Sequence, residues 1–112
     1  MVKMMALLYK RPDISEEEFY KHWREIHGPL VAKLPLRVVK YVQNRLVKIP
    51  GIEYKDKDLL GIAEVWHEGV DLFEEVMAWR ATDEAKHLVD DENSFLDMSR
   101  VTIYAVEENI VV

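Results

Sequence analysis

Apolar positions along the chain predict four strands. Residues 2–9 (VKMMALLY) are apolar on both alternating faces, which indicates a strand that is covered on both sides. Three later segments are rich in β-branched and apolar residues and predict the remaining strands: 37–48, 59–67 and 98–106. Within the strand predicted at 59–67, Glu64 is the one charged residue in an otherwise apolar run.

Helical spacing predicts a first helix after the first strand. Ser15 followed by Glu18 forms a capping box that opens this helix. Gly28-Pro29 interrupts the pattern, so we expect a bend or restart just after His27 and an end at Pro35. The stripe predicted to be buried comprises Phe19, Trp23, Ile26 and Leu30.

A second helix is predicted over residues 70–80, and a short helical segment follows at 82–89. The inward side chains of the second helix are predicted to be Leu72, Phe73, Val76 and Met77. The polar run 90–94 (DDENS) is predicted to be a loop.

The order of elements is βαββαβ, within a single domain of residues 1–112. It predicts an α+β, ferredoxin-like subunit: a four-stranded antiparallel sheet with helices on one face. The first and third strands are nevertheless apolar on both faces, and a monomer rarely exposes more than a few hundred Å² of apolar patch. We therefore predict a homodimer in which a second copy packs on the open face of the sheet.

Charge and composition exclude several classes of partner. The 15 basic and 21 acidic residues give a net charge of -6, which argues against nucleic-acid binding. No apolar run reaches the roughly 20 residues that a membrane span needs, and the start of the chain lacks a signal-peptide pattern. The chain has no cysteine, which excludes disulfides and thiolate chemistry. A cytoplasmic setting is expected.

Two motifs link the sequence to a known family. Residues 23–30 (WREIHGPL), followed by 41–44 (YVQN), resemble the EthD family of dimeric α+β barrel proteins. A Lys-Arg-Pro turn after the first strand agrees with that pattern, as do residues 61–66 (GIAEVW) and 91–96 (DENSFL). The resemblance implies a ferredoxin-like subunit that pairs as a dimeric α+β barrel. Relatives on this superfold include muconolactone isomerases, methylmuconolactone methylisomerases, polyketide cyclases and haem-degrading monooxygenases.

His27 is the first candidate catalytic residue. It stands where Gly28-Pro29 disturbs the helix, and an imidazole there can act as a general base near neutral pH. The resemblance supports this role, because methylmuconolactone methylisomerase is similar here and has a catalytic histidine at the equivalent place. The alternative is that His27 caps the bent helix by bonding a freed carbonyl.

Tyr41 and Gln43 share one face of the second strand by alternation. Tyr41 is a candidate catalytic residue that donates a hydrogen bond to a developing oxyanion, with Gln43 as a substrate-binding or orienting group. The alternative is a tyrosine packed in the core with its hydroxyl satisfied.

Glu64 is the third candidate catalytic residue, because a carboxylic acid kept protonated in a cavity can act as a general acid. The alternative is a salt bridge to a neighbouring Arg or Lys or across the dimer. The candidate aromatic walls for a substrate are Trp23, Trp66 and Trp79, with core packing as the alternative for each. His67 and His87 are predicted to be surface histidines.

No metal and no cofactor is predicted. His22 and His27 are five residues apart, which places them on different faces of an α-helix, and no HxxxH, HxH or HExxH spacing occurs. The first strand lacks the asparagine of the haem-degrading relatives, which argues against haem.

Three functions follow from these patterns. The first is a cofactor-independent lyase, isomerase or cyclase that acts on a small ring-bearing or β-carbonyl metabolite in a cavity between helices and sheet. The second is a protein that binds a small hydrophobic or aromatic metabolite without catalysis, as an accessory to an oxygenase system. The third is a purely structural dimer domain without an internal cavity.

Overall fold

Four strands form one antiparallel sheet in the computed structural model, which describes residues 2–35 and 38–112 apart from the side chains of Val70, Leu72 and Phe73. The strands are β1 (Val2–Leu8), β2 (Lys40–Arg45), β3 (Gly61–His67) and β4 (Thr102–Val106). Their order across the sheet is β2-β3-β1-β4. The four predicted strands are confirmed, and β2 and β4 are shorter than predicted. Arg37, the predicted start of β2, lies outside the described residues.

Helical segments connect the strands and pack on one face of the sheet. They are α1 (Glu16–His22), a π-helical turn (Trp23–His27), α2 (Gly28–Ala32), α3 (Val70–Arg80), a 3-10 turn (Asp83–Ala85) and α4 (Lys86–Phe95). The predicted capping box is confirmed, because the Ser15 hydroxyl accepts the Glu18 N–H at 3.1 Å. Within the described part of the chain, each helix is too short or too polar to reach across a membrane.

Pairing between strands assigns each residue to a face. Tyr41 and Met4 both lie opposite Val65 of β3, and all three point toward the helices. Ala6, Leu8 and Ala63 join Phe19, Trp23 and Phe95 in the core beneath those helices. The alternate positions, such as Leu7 paired with Ile62, form the open face of the sheet. The predicted α+β architecture with helices on one face is confirmed.

The first helix departs from α geometry at Trp23, earlier than predicted. Its π-helical turn is closed by the Gly28 N–H, which donates to the Trp23 carbonyl five residues earlier. The wider turn changes which side chains face inward. Ile26, predicted to be buried, is 50% exposed, and His27 is buried in its place at 7% exposure. The prediction for Ile26 was wrong because it assumed a continuous period of 3.6 residues.

Helix α4 includes residues 90–94, so the predicted loop there was wrong. Leu88 and Phe95, seven residues apart, are both buried, and the Phe95 ring lies 5.5 Å from the Phe19 ring. One apolar stripe therefore anchors α4 even though its other faces are polar. In α3, Val76 and Met77 line the space between helix and sheet as predicted, although Met77 is 44% exposed. The inward direction predicted for Leu72 and Phe73 lies outside the described side chains.

Gly61 allows the first helix to approach the sheet closely. A Cβ atom at this position would lie 2.7 Å from two ring atoms of Trp23. Trp23 is 3% exposed and packs against Phe19 in the core, so moving its ring would disturb that packing. The missing side chain of Gly61 therefore sets the position of the π-helical turn that begins at Trp23.

Candidate active site

A cavity of about 120 Å³ lies between the sheet and the helices. Its walls are mostly apolar and come from all four strands and from the helical segments on either side. The side chains that bring polar atoms to the wall are Trp23, His27, Tyr41, His67, Arg80 and Glu92. The cavity predicted beside His27 and Tyr41 is therefore present on the helix side of the sheet.

His27 is held by a carboxylate of α4. Its Nδ1 lies 2.9 Å from Oδ2 of Asp91, and the other carboxylate oxygen, Oδ1, lies 2.8 Å from Nε2 of His22. Five residues separate the two histidines, which would put them about 140° apart on an α-helix. The π-helical turn removes this difference, so the expectation that they lie on different faces was wrong.

The contact with Asp91 identifies which nitrogen of the His27 ring donates a hydrogen bond. A carboxylate can only accept hydrogen bonds, so Nδ1 must carry the proton that it donates. In the neutral ring, Nε2 is then an acceptor. Among the described residues Nε2 has no hydrogen-bond partner, and His27 lines the cavity. The arrangement is that of a general base oriented by an acidic side chain.

Tyr41 presents a hydroxyl proton that no described residue accepts. Its oxygen accepts a hydrogen bond from Nε2 of Gln43 at 3.0 Å. Burial raises the pKa of the Tyr41 hydroxyl, and the bond from Gln43 opposes this rise. A raised pKa keeps the group protonated near neutral pH. Tyr41 is therefore a hydrogen-bond donor for a group in the cavity.

Gln43 orients Tyr41 and does not itself line the cavity. Its Nε2 also donates to the Trp23 carbonyl at 2.8 Å, which joins β2 to the start of the π-helical turn. A Cβ atom on Gly28 would come within 3.0 Å of that nitrogen, so glycine beside His27 leaves room for this bond. Of the two roles predicted for Gln43, these contacts support the orienting one, because its amide nitrogen is already used by two oxygens.

Trp23 lines the cavity, as the prediction of an aromatic wall requires. Its indole N–H is buried and lies close to the Tyr41 hydroxyl, but it makes no regular hydrogen bond to a described residue. The indole therefore adds a second unused donor to the part of the cavity near His27 and Tyr41.

His67 also lines the cavity, although it was predicted to be a surface histidine. It is 2% exposed, and neither ring nitrogen has a hydrogen-bond partner among the described residues. Burial lowers the pKa of His67, which keeps the ring neutral near pH 7. The strand alternation could have found it, since His67 shares its face with the buried residues Ala63 and Val65.

Arg80 is the cationic side chain in the described wall of the cavity, and Glu92 neutralises it. Two guanidinium nitrogens of Arg80 donate to the two carboxylate oxygens of Glu92, one of them at 3.2 Å. Such a bidentate pair satisfies both charges internally. Within the described wall, the cavity thus offers neutral hydrogen-bonding groups and no free charge.

Glu64 and Trp66 lie on the opposite, open face of the sheet. Glu64 is bound by Lys3 at 3.0 Å and by the Asn44 amide at 2.9 Å. Trp66 donates its indole N–H to Glu108 at 2.6 Å. Their predicted place beside His27 was wrong, because alternation along β3 turns residues 64 and 66 away from residues 63, 65 and 67. The alternative of a salt bridge is the one that Glu64 adopts.

Trp79 is not part of the described cavity wall, although its neighbour Arg80 is. The structure therefore does not bring Trp79 to the cavity where the prediction put it. His87 is exposed and contacts the Glu84 carbonyl at 3.0 Å, which confirms it as a surface histidine. No group of three potential ligands among the described His, Asp and Glu side chains is arranged to hold a metal ion.

Sequence reasoning missed Asp91 because the run 90–94 was interpreted as a loop. The signal was nevertheless present: Leu88, Asp91 and Phe95 follow one another at helical spacing and therefore share one face of α4. A polar residue between two apolar residues on a buried face is expected to have a partner. His22 and His27 are those partners.

The fold and the cavity define an α+β protein of the ferredoxin-like class. The sequence pattern of the EthD domain matches residues 11–99, which is most of the chain. The chain therefore belongs to the EthD family, as the motifs around His27 indicated. None of the curated proteins compared with it matches.

Three solved structures illustrate the similarity. An ethyl tert-butyl ether D (EthD) family protein from Bacillus halodurans C-125 is 26% identical, with 97% of this chain and 99% of that chain covered and a TM-score of 0.71. A dimeric protein of ferredoxin-like fold from Bacteroides fragilis is 14% identical, with 96% and 95% covered and a TM-score of 0.63. The hydroxynitrile lyase from Passiflora edulis is 13% identical, with 97% and 95% covered and a TM-score of 0.65. The last two likenesses concern the fold alone.

Replacing Asp91 tests whether this carboxylate holds the two histidines. In Asp91→Ala, the buried His27 ring loses the partner of Nδ1, so we expect the free energy of unfolding to fall by about 1–3 kcal/mol. Urea denaturation measures the change. The matched control is Asp90→Ala, because the Asp90 side chain is 62% exposed and pairs with Lys86 on the surface. We expect the control to change stability by less than about 0.5 kcal/mol. Equal losses in the two variants would contradict the assignment.

The buried His67 ring predicts a pH dependence of stability. Because its pKa in the folded protein lies below the ordinary value of 6.5, the unfolded chain takes up a proton at a pH where the folded protein does not. The free energy of unfolding is therefore not reduced by protonation of this group above pH 6.5, and it falls as the pH drops below that value. The His67→Leu variant lacks this loss. Its stability relative to the unsubstituted protein should therefore rise between about pH 7.5 and 5.5, as measured by urea denaturation at each pH. A constant difference would contradict the prediction.

Proposed function

We propose that this protein is a cofactor-independent acid–base enzyme, a lyase, isomerase or cyclase, that acts on a small ring-bearing or β-carbonyl metabolite. The observation that carries the proposal is the hydrogen bond from His27 Nδ1 to Asp91, which leaves Nε2 as an acceptor in a residue that lines the cavity. Both residues lie within the part of the chain that matches the EthD domain.

The proposed reaction begins when His27 Nε2 takes a proton from a carbon or hydroxyl group of the substrate. The imidazolium that forms is stabilised by the Asp91 carboxylate at 2.9 Å. After removal of a C–H proton the electron pair moves to the carbonyl oxygen, whereas after removal of an O–H proton a C=O bond forms as the adjacent C–C bond breaks. In both cases the oxygen accepts a hydrogen bond from Tyr41. Gln43 donates to the Tyr41 oxygen and so makes the Tyr41 O–H a better donor. His27 then returns the proton to the product.

His27 is the residue whose replacement tests this mechanism. ¹H NMR in D₂O measures deuterium incorporation next to the carbonyl of cyclohexanone and the cleavage of mandelonitrile. The second probe is chosen because one protein of similar fold is a hydroxynitrile lyase. We expect the protein to accelerate at least one of these reactions. His27→Ala should slow it by about 10²–10⁴-fold, and Tyr41→Phe by about 10²–10³-fold.

The matched control is His87→Ala, which removes an exposed histidine outside the cavity and should leave the rate unchanged. A His27→Ala variant with the full rate would refute the role of His27.

The second candidate function, binding of a hydrophobic metabolite without catalysis, is favoured by the mostly apolar wall of the cavity. Saturable binding of cyclohexanone or mandelonitrile without any change to either compound would support that function instead.

We also propose that the chain forms a homodimer through the open face of its sheet. This face carries partly exposed apolar side chains from all four strands, namely Met5, Leu7, Val42, Ile62, Tyr104 and Val106. Its carboxylate, Glu64, is already paired with Lys3, so the pair can be covered without leaving an unpaired charge. The similar protein from Bacteroides fragilis is dimeric.

Placing a charge at the centre of the open face tests the pairing. Size-exclusion chromatography with light scattering should give twice the chain mass of 13.2 kDa. Ile62→Arg should reduce the mass to that of one chain, because the guanidinium would be buried without a partner. The matched control is Ile26→Arg at a half-exposed position on the helical layer, which should leave the dimer intact. A mass of 13.2 kDa for the unsubstituted protein at every concentration would refute the proposal.

A further inference from the structure

His67 is a buried polar side chain of the cavity wall that the proposed reaction does not use. It is 2% exposed, and both of its ring nitrogens lack a hydrogen-bond partner among the described residues. Buried polar atoms without a partner are rare in folded proteins, and each one destabilises the fold unless something satisfies it. An imidazole retained in this condition indicates that its partner arrives with a ligand.

The position of His67 in the sheet places it near the reacting groups. Tyr41 of β2 lies directly opposite Val65 of β3, and His67 is two residues further along β3 on the same face. Such diagonal neighbours in an antiparallel pair lie about 7–8 Å apart. Both residues line the one cavity, together with His27. A single small molecule can therefore reach Tyr41 at one end and His67 at the other.

The character of the cavity limits what that molecule is. The described wall carries no free charge, since Arg80 is paired with Glu92 through both carboxylate oxygens. Burial favours the neutral form of His67, which offers one donor and one acceptor. An uncharged ligand with a hydroxyl or carbonyl group suits this environment, whereas an ionised one would lose its hydration without gaining a counter-charge.

The volume of the cavity limits the size of the ligand. At about 120 Å³ it is somewhat smaller than the cavity of about 150 Å³ that is known to bind benzene in another protein. A single six-membered ring is therefore the size of ligand that this space suits. Fused rings and long chains would need the helices to move.

We infer that His67 is a substrate-binding residue that hydrogen-bonds a hydroxyl or carbonyl group of a small, uncharged, single-ring substrate whose reacting end lies at His27 and Tyr41. The inference rests on the proposed function, because it concerns the same cavity. It adds the polarity, the size and the second point of attachment of the substrate.

Two matched ketones test this inference. The probes are 4-hydroxycyclohexanone and 4-methylcyclohexanone, which differ by a hydroxyl in place of a methyl group at the end away from the carbonyl. Dissociation constants are measured by titration followed in ¹H–¹⁵N NMR spectra. The unsubstituted protein should bind the hydroxy compound about 5–10-fold more tightly, as expected for one hydrogen bond to a buried polar group. The His67→Leu variant should reverse this preference and bind the methyl compound more tightly than the hydroxy compound.

Two further variants separate this role from other effects. Tyr41→Phe should weaken the binding of both ketones equally and keep the preference for the hydroxyl group, because it acts at the carbonyl end. His67→Gln keeps a donor and an acceptor and should retain part of the preference, which guards against a fold defect in His67→Leu.

In the absence of ligand, His67→Leu should also raise the midpoint of urea denaturation, since it removes two unpartnered nitrogens. A purely structural histidine would lower that midpoint.

Each remaining outcome decides the matter. The same hydroxyl preference in His67→Leu as in the unsubstituted protein would overturn the inference and leave the proposed acid–base function standing. If neither ketone binds at millimolar concentration but deuterium exchange into cyclohexanone is accelerated, the inference again falls alone. If neither ketone binds and mandelonitrile alone is cleaved, the inference also falls alone; if there is no binding, no exchange and no cleavage of mandelonitrile, the inference falls together with the proposed function.

Discussion

One carboxylate organises the site on which the rest of the structure depends. Asp91 accepts hydrogen bonds from His22 and His27 at 2.8 and 2.9 Å and so joins α4 to the end of α1 and to the π-helical turn that follows it. The carboxylate is largely buried, and a carboxylate removed from water must be satisfied by donors. Two imidazole N–H groups satisfy it, one on each oxygen. This arrangement places a requirement on the helix, because both histidines must face α4 although five residues separate them.

The π-helical turn meets this requirement. It lets His27 follow His22 toward α4, turns Ile26 outward, and ends at Gly28, whose N–H closes the turn. The Gln43 amide donates one hydrogen bond to the Trp23 carbonyl at the start of the turn and another to the hydroxyl oxygen of Tyr41. The same amide therefore couples the position of the general base to that of the oxyanion donor. Such π-helical turns are rare and are often found at functional sites, which agrees with the chemistry proposed here.

The fold was largely predictable from the sequence, because its strands and helix starts depend on local patterns. The alternation in β1 and β3 and the Ser15 capping box were sufficient for the α+β architecture. Burial at Ile26 and His27 was not predictable in this way, since periodicity assumes an α-helix and carries no information about a wider turn. Residues 90–94 were misassigned because their composition is polar, whereas tertiary packing of Leu88 and Phe95 determines that they are helical.

The candidate site was predictable in part, for a related reason. His27 and Tyr41 were identified from their chemistry and their place at a helix bend and on a strand, and both line the cavity. Glu64 attracted interest because a lone carboxylate in an apolar strand is costly, but Lys3 and Asn44 satisfy it on the other face. Asp91 was missed because its partners are 64 and 69 residues away in the chain, and only the folded structure brings them together.

The two faces of the sheet thus handle polar groups in opposite ways. On the open face the Glu64 carboxylate is satisfied by Lys3 and Asn44, so a second copy can cover it without having to supply a charge. On the helix face His67 and the Trp23 indole are buried without partners among the described residues, and this lowers the stability of the ligand-free protein. Natural proteins tolerate such a loss where function needs the group, because selection maintains only the stability that function requires. Satisfied polar groups on one face and unsatisfied ones on the other are therefore the physical reason to assign assembly to the first and ligand binding to the second.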